Sequence, residues 1–98
     1  MLDRANFTRA RLARTQFGDA SMVETVFDRA DLRNAMFDDA VLQRALLTRA
    51  NLLRAGFDRA DLSGASLEDA NAYEAGFWET IVEDAKLRGA NLRNTLLG

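Results

Sequence analysis

The sequence predicts an all-β fold, a solenoid of four-sided coils, and three observations carry that prediction. Every fifth residue from Leu2 to Leu97 is apolar across all 98 residues. Two positions before each of the last nineteen of these centres stands Ala fifteen times, and Thr at Thr15, Thr25, Thr80 and Thr95. The largest centres recur at a spacing of twenty, as Phe17, Phe37, Phe57 and Phe77, with Phe7 and Phe27 repeating the step. A period of five suits neither regular element. In an α-helix five residues turn through about 500°, so the apolar side chains spiral around the cylinder. In a straight strand an odd spacing sends them to alternate faces. Both conflicts vanish if the backbone turns a corner within every five-residue unit and points the same two residues inward each time.

Twenty residues per coil is four such units, hence four walls. The first coil is centred on Leu2, Phe7, Leu12 and Phe17, and the second on Met22, Phe27, Leu32 and Phe37. The third is built on Leu42, Leu47, Leu52 and Phe57, and the fourth on Leu62, Leu67, Ala72 and Phe77. The last carries Val82, Leu87, Leu92 and Leu97, so the register is expected to hold to the final residues. Ala72 is undersized for a centre, which predicts a local distortion or filling by Tyr73. Stacked coils joined by strand-type hydrogen bonds rise roughly 4.8 Å each, giving a rod on the order of 24 Å long. Phe then stacks on Phe, and Ala on Ala lets opposite walls approach. Helix propensity alone would mislead, since residues 44–57 are rich in Ala, Leu and Arg; the internal repeat takes precedence. The absence of Pro fits a continuous backbone ladder.

A second ladder precedes the centres at the same spacing: Asp31, Asn51, Asn71 and Asn91. The units Ala30-Asp31-Leu32-Arg33-Asn34, Ala50-Asn51-Leu52-Leu53-Arg54 and Ala60-Asp61-Leu62-Ser63-Gly64 resemble the pentapeptide-repeat family over essentially the whole chain. The resemblance implies a right-handed quadrilateral parallel β-helix, in agreement with the independent count of four units per coil. Val26, Met36, Val41, Leu46, Ile81 and Leu96 depart from the family's Asp or Asn before the centre.

Composition narrows the function classes. The chain forms one domain, residues 1–98, as an entire protein or as part of a longer one. With no Cys there is no disulfide, thiol chemistry or thiolate metal site, and with no His the commonest general base and metal ligand is missing. Ser21, Ser63 and Ser66 therefore lack an activating base, and no Gly-rich phosphate loop is present. Asp38 and Asp58 stand one coil apart, a spacing that reads as a solvated corner ladder in preference to a metal or acid–base pair. We expect no catalytic residues, no cofactor and no metal. No apolar run approaches a membrane span and no leader pattern is visible, so a soluble, cytoplasmic protein is expected.

The surface carries what remains. Residues 1–49 hold eight Arg against seven acids, and residues 50–98 five Lys or Arg against eight acids, summing to the net charge of −2. No Lys or Arg lies between Arg59 and Lys86, a stretch that contains Glu74, Glu79, Glu83 and Asp84. Arg9, Arg29 and Arg49 form a column, yet the acidic balance and the acids beside them argue against direct nucleic-acid binding. All six Phe are centres, whereas Tyr73 and Trp78 fall on neighbouring corners of one coil, among those acids. Tyr73, Trp78, Glu74, Glu79, Glu83 and Asp84 are therefore a candidate patch for a protein partner with a basic surface; the bland reading lays the Trp ring along the wall. No polar cap closes either end, which leaves three readings open: a longer protein, a homodimer, or end-to-end stacking through Leu96 and Leu97. The function expected is a non-catalytic interaction scaffold. The resemblance supplies the alternative, because some pentapeptide-repeat proteins mimic B-DNA and bind type II topoisomerases such as DNA gyrase.

Overall fold

Each five-residue unit runs straight for three residues and turns on the next two. The turn is closed by the N–H of the following Ala or Thr, which donates to the carbonyl of the centre, at 3.0 Å for Ala5 to Leu2 and for Ala35 to Leu32. The second turn residue has positive φ at every corner, between 53° at Glu79 and 75° at Gly89, the mark of a type II turn. Only Gly64 and Gly89 supply glycine there; the other corners use Arg, Asp, Glu or Asn. An L-residue in this region costs about 1–2 kcal/mol. The turn is thus imposed by the stacking of coils and not by local preference.

The computed structural model, describing residues 1–98, stacks these coils by three backbone hydrogen bonds per unit. The centre N–H donates forward, as Phe37 to the Gly56 carbonyl at 2.7 Å. The residue before the centre donates back, as Val41 to Ala20 at 2.9 Å. The second turn residue adds the third bond, as Arg44 to Ser63 at 2.8 Å. The first two make single-residue parallel bridges at a constant offset of twenty, from Asn6–Val26 to Asn71–Asn91. The molecule measures 30 × 24 × 22 Å, a short square rod.

Centres and Ala positions point inward and form one continuous core. Phe37 stacks between Phe17 and Phe57 with ring centroids at 5.0 and 4.9 Å, and Phe77 extends the column at 5.4 Å. Phe7 and Phe27 stack on the opposite wall at 5.3 Å. Ala72 causes no backbone distortion: it is fully buried, and its N–H reaches the Asn91 carbonyl at 2.9 Å in the regular pattern. Tyr73 does not fill the space beside it, because its hydroxyl accepts from the Asn94 side chain at the corner, at 3.1 Å.

The final unit leaves the repeat. The ladder stops at Asn91, and Leu96 makes no bridge to Gly76 and stands 71% exposed. Leu97 still packs partly on the core. Thr95 explains the change: its hydroxyl donates to the Leu92 carbonyl at 2.7 Å and accepts from the Leu97 N–H at 3.2 Å, turning the chain across the end. The expectation of an unbroken register through Leu97 is corrected accordingly.

Candidate interaction surface

One backbone donor per unit is left without a carbonyl, the N–H of the first turn residue. Where Asp or Asn precedes the centre, its side chain accepts that N–H from two positions on, as Asp61 from Ser63 at 2.9 Å and Asn51 from Leu53 at 3.3 Å. Ser66 does the same for Glu68 at 3.4 Å. A second device operates where the preceding residue cannot accept. Asp38 takes the N–H of Asp58 at 3.2 Å, and Asp58 takes that of Trp78 at 3.1 Å, each reaching one coil ahead. The residues before these centres are Gly56 and Gly76, and a methyl group on either would come within 3.0 Å of the Asp38 or Asp58 carboxylate. Glycine leaves room there for the carboxylate, and at Gly56 for the Met36 side chain as well. Asp38 and Asp58 are therefore corner caps, and no three acidic side chains converge to hold a metal ion.

Coil stacking also redistributes the charges. Arg54 pairs with Glu74 at 2.8 Å, and Arg59 makes two bonds to Asp39 at 2.9 and 3.1 Å. Arg49 reaches Asp28 at 2.9 Å, and Arg33 pairs with Asp31 at 2.7 Å. Hydrogen bonding to Arg59 holds Asp39 below the usual carboxylate range, and that to Arg33 does the same for Asp31. At Asp61 burial pushes upward, but the Ser63 hydroxyl and N–H and the Gln43 amide together outweigh it and lower the group. The acidic stretch after Arg59 is thus partly neutralised from the coil beneath. Glu79, Glu83 and Asp84 keep no side-chain partner, whereas Glu74 is tied to Arg54.

Of the two candidate aromatics, Tyr73 is half-buried and Trp78 is 52% exposed. Trp78 neither lies flat and hidden nor stands free. The Arg59 guanidinium sits 5.8 Å from its ring centre, within cation–π range, and is itself fixed by Asp39. Three positions on, Ile81 projects from the adjoining wall and is 47% exposed. Ile81 belongs with Trp78 and escaped the sequence reading, although its place before a centre, where Asp or Asn is usual, was the available signal. Leu96 and Leu97 are split, one outside and one packed partly on the core. The one surface cleft lies elsewhere, lined by Glu68, Lys86, Leu87 and Arg88.

A continuous core, self-capped corners and walls that differ mainly in their outward side chains define a repeat solenoid. Residues 2–46 match the family described as Pentapeptide repeats (9 copies), and residues 37–71 match Pentapeptide repeats (8 copies). The chain belongs to the pentapeptide-repeat family, and its architecture is the right-handed quadrilateral β-helix of that family. Among solved structures it is similar to a pentapeptide repeat protein from the Arabidopsis thaliana thylakoid lumen, at 28% identity and TM-score 0.77, covering 96% of this chain and 62% of that one. A pentapeptide repeat protein from Nostoc Pcc 7120 matches at 31% identity and TM-score 0.69, covering 89% of this chain and 64% of that one. HetL, a pentapeptide repeat protein involved in heterocyst differentiation regulation in Nostoc sp. strain PCC 7120, matches at 28% identity and TM-score 0.64, covering 92% of this chain and 48% of that one. The chain therefore spans less than two thirds of the length of each of these relatives. No curated protein sequence matches it.

Proposed function

We propose that the chain is a non-catalytic scaffold whose rigid walls bind another protein. The observation that carries this reading is the division of labour between inside and outside. Every inward position is filled by an apolar or Ala/Thr side chain, and the corner polar groups are largely engaged with one another, so no group is held ready for chemistry. What varies from coil to coil is the outward side chain before each centre, and those positions include Ile81 and Leu46, both half-exposed. A rod with a fixed pitch presents such residues at set intervals without ordering cost on binding. The regulatory relative HetL supports an interaction role by family likeness. The test is site-specific photo-crosslinking from Gln16, Leu46, Asn51 and Ile81, one on each wall, in the native host. A discrete protein adduct from one wall supports the scaffold; no adduct from any wall overturns it.

A second reading, binding to DNA gyrase as a DNA mimic, is favoured by one observation: residues 60–85 contain no Lys or Arg. The first coil weighs against it, since Arg4, Arg9, Arg11 and Arg14 all lack an acidic partner. A gyrase supercoiling assay, with the mass measured by light scattering on the same sample, separates the two. Inhibition by a dimer at micromolar concentration selects the mimic, and no inhibition removes it.

A further inference from the structure

We propose that the surface formed by Trp78 and Ile81, together with Glu79, Glu83 and Asp84, docks a cationic peptide segment that carries an apolar anchor. The proposal rests on the scaffold reading and names the partner's chemistry. All five residues fall within one corner–wall–corner stretch of seven positions, so they share one side of the rod where the fourth coil passes into the last. Trp78 and Ile81 are two of the few large apolar residues exposed on the molecule, and the other well-exposed ones, Met1, Leu46 and Leu96, lie on other walls or coils. Water-exposed apolar surface of this kind is stabilised by a partner that covers it.

The Trp is also held for that use. Its N–H is fixed by Asp58, its ring lies beside Arg59, and Arg59 is clamped by two bonds to Asp39. A side chain restrained on its backbone and beside its ring has less freedom to lose when a partner covers it. Charge then selects the occupant. Glu79, Glu83 and Asp84 form no ion pair, while the cation beside Trp78, Arg59, is already neutralised by Asp39. An acidic peptide would face three uncompensated carboxylates; a Lys- or Arg-bearing one would relieve them and be steered toward the site. Beneath Ile81 in the ladder, Asp61 is engaged by Ser63 and Gln43, so it adds negative potential and no competing cation.

The chain contains a single Trp, so its fluorescence reports on this surface alone. The experiment titrates the full chain with three synthetic twelve-residue peptides: one of Lys and Leu, one with Glu in place of Lys, and one with Ser in place of Leu. The expected result is a saturable Trp78 emission shift with the Lys/Leu peptide only, weakened about tenfold between about 50 and about 300 mM salt. Labelled-peptide anisotropy with the E79K/E83K double variant and with Ile81→Ser should each show a loss of about tenfold or more, at an unchanged Tm. Equal binding of the Glu/Leu peptide, or of the Lys/Ser peptide, overturns the proposal. Binding of the Lys/Leu peptide that ignores both variants places it elsewhere and overturns the site, yet leaves the scaffold reading intact. A crosslinked partner from Leu46 or Asn51, with no peptide binding here, would likewise refute this surface alone.

Discussion

At the scale of single residues the coil makes two demands that are met by different means. The second turn residue must take positive φ, and the stacked backbone enforces this on Arg, Asp and Glu as readily as on Gly64. Gly64→Ala should therefore fold but lose about 1 kcal/mol in urea denaturation, since it takes up a conformation only glycine adopts freely. The first turn residue needs an acceptor for its N–H, and Asp, Asn or a carboxylate from the coil beneath provides one. The sequence displayed Asp31, Asn51, Asn71 and Asn91 as a ladder without disclosing this role, because the hydrogen bond exists only once the corner has formed. Gly56 and Gly76 were harder still to interpret: the side chains that crowd them, Met36 and Asp38 at one and Asp58 at the other, come from the previous coil and are distant along the chain. The inward residues were fully legible from spacing. Phe37→Ala should cost about 3–5 kcal/mol by denaturation, since the ring is buried between two others. Arg29→Ala, at an exposed corner, should stay within about 0.5 kcal/mol. Ala50→Leu should abolish the cooperative transition, because the buried Ala ladder leaves no space for three more carbon atoms between walls.

At the scale of the coil, neighbours in space are twenty residues apart in sequence. This is why counting charges along the chain overstated the acidic belt: Arg54 and Arg59 precede it in sequence but lie against Glu74 and Trp78 in space. The fivefold and twentyfold spacings disclosed the columns, whereas the choice of partners within a column depends on side-chain reach and rotamer. The same cross-coil contacts set the acid response. The Ser21 hydroxyl and Val23 N–H lower Asp3, the Thr48 hydroxyl and Arg49 lower Asp28, and Arg59 lowers Asp39. A carboxylate whose folded pKa is depressed contributes stability that is fully present above its unfolded value and is lost as the pH falls through the folded one. With an unfolded Asp value of about 3.9 and no His in the chain, the Tm should be flat from about pH 5 to about pH 8 and fall below about pH 4. Raising the salt should change the neutral-pH Tm little, since every ion pair is at least partly exposed.

At the scale of the whole molecule the fold class, the four walls and the number of coils were readable before any coordinates, because a repeat leaves little freedom once its period is known. The end was not, since Thr95 and Leu97 keep the repeat's residue types while the Thr95 hydroxyl bonds turn the backbone away from the ladder. Each coil bonds only to its neighbours, so cooperativity passes along one axis. Removing residues 41–60 joins Ala40 to Asp61 with every column preserved, and the shortened chain should still unfold in one transition by circular dichroism, at a lower Tm. Removing residues 41–45 alone keeps the fivefold pattern but moves every later residue by one wall. It should collapse to a poorly ordered state with no sharp transition. The stacked Phe column has a consequence for errors of folding. A slip of one wall sets Phe against Leu and strands the Asp caps, whereas a slip of one full turn meets equivalent partners at almost every level. The misassembly this chain is built to reject is the small one, and the one it tolerates is exchange of an entire turn between two copies, so that its length is quantised in units of twenty residues.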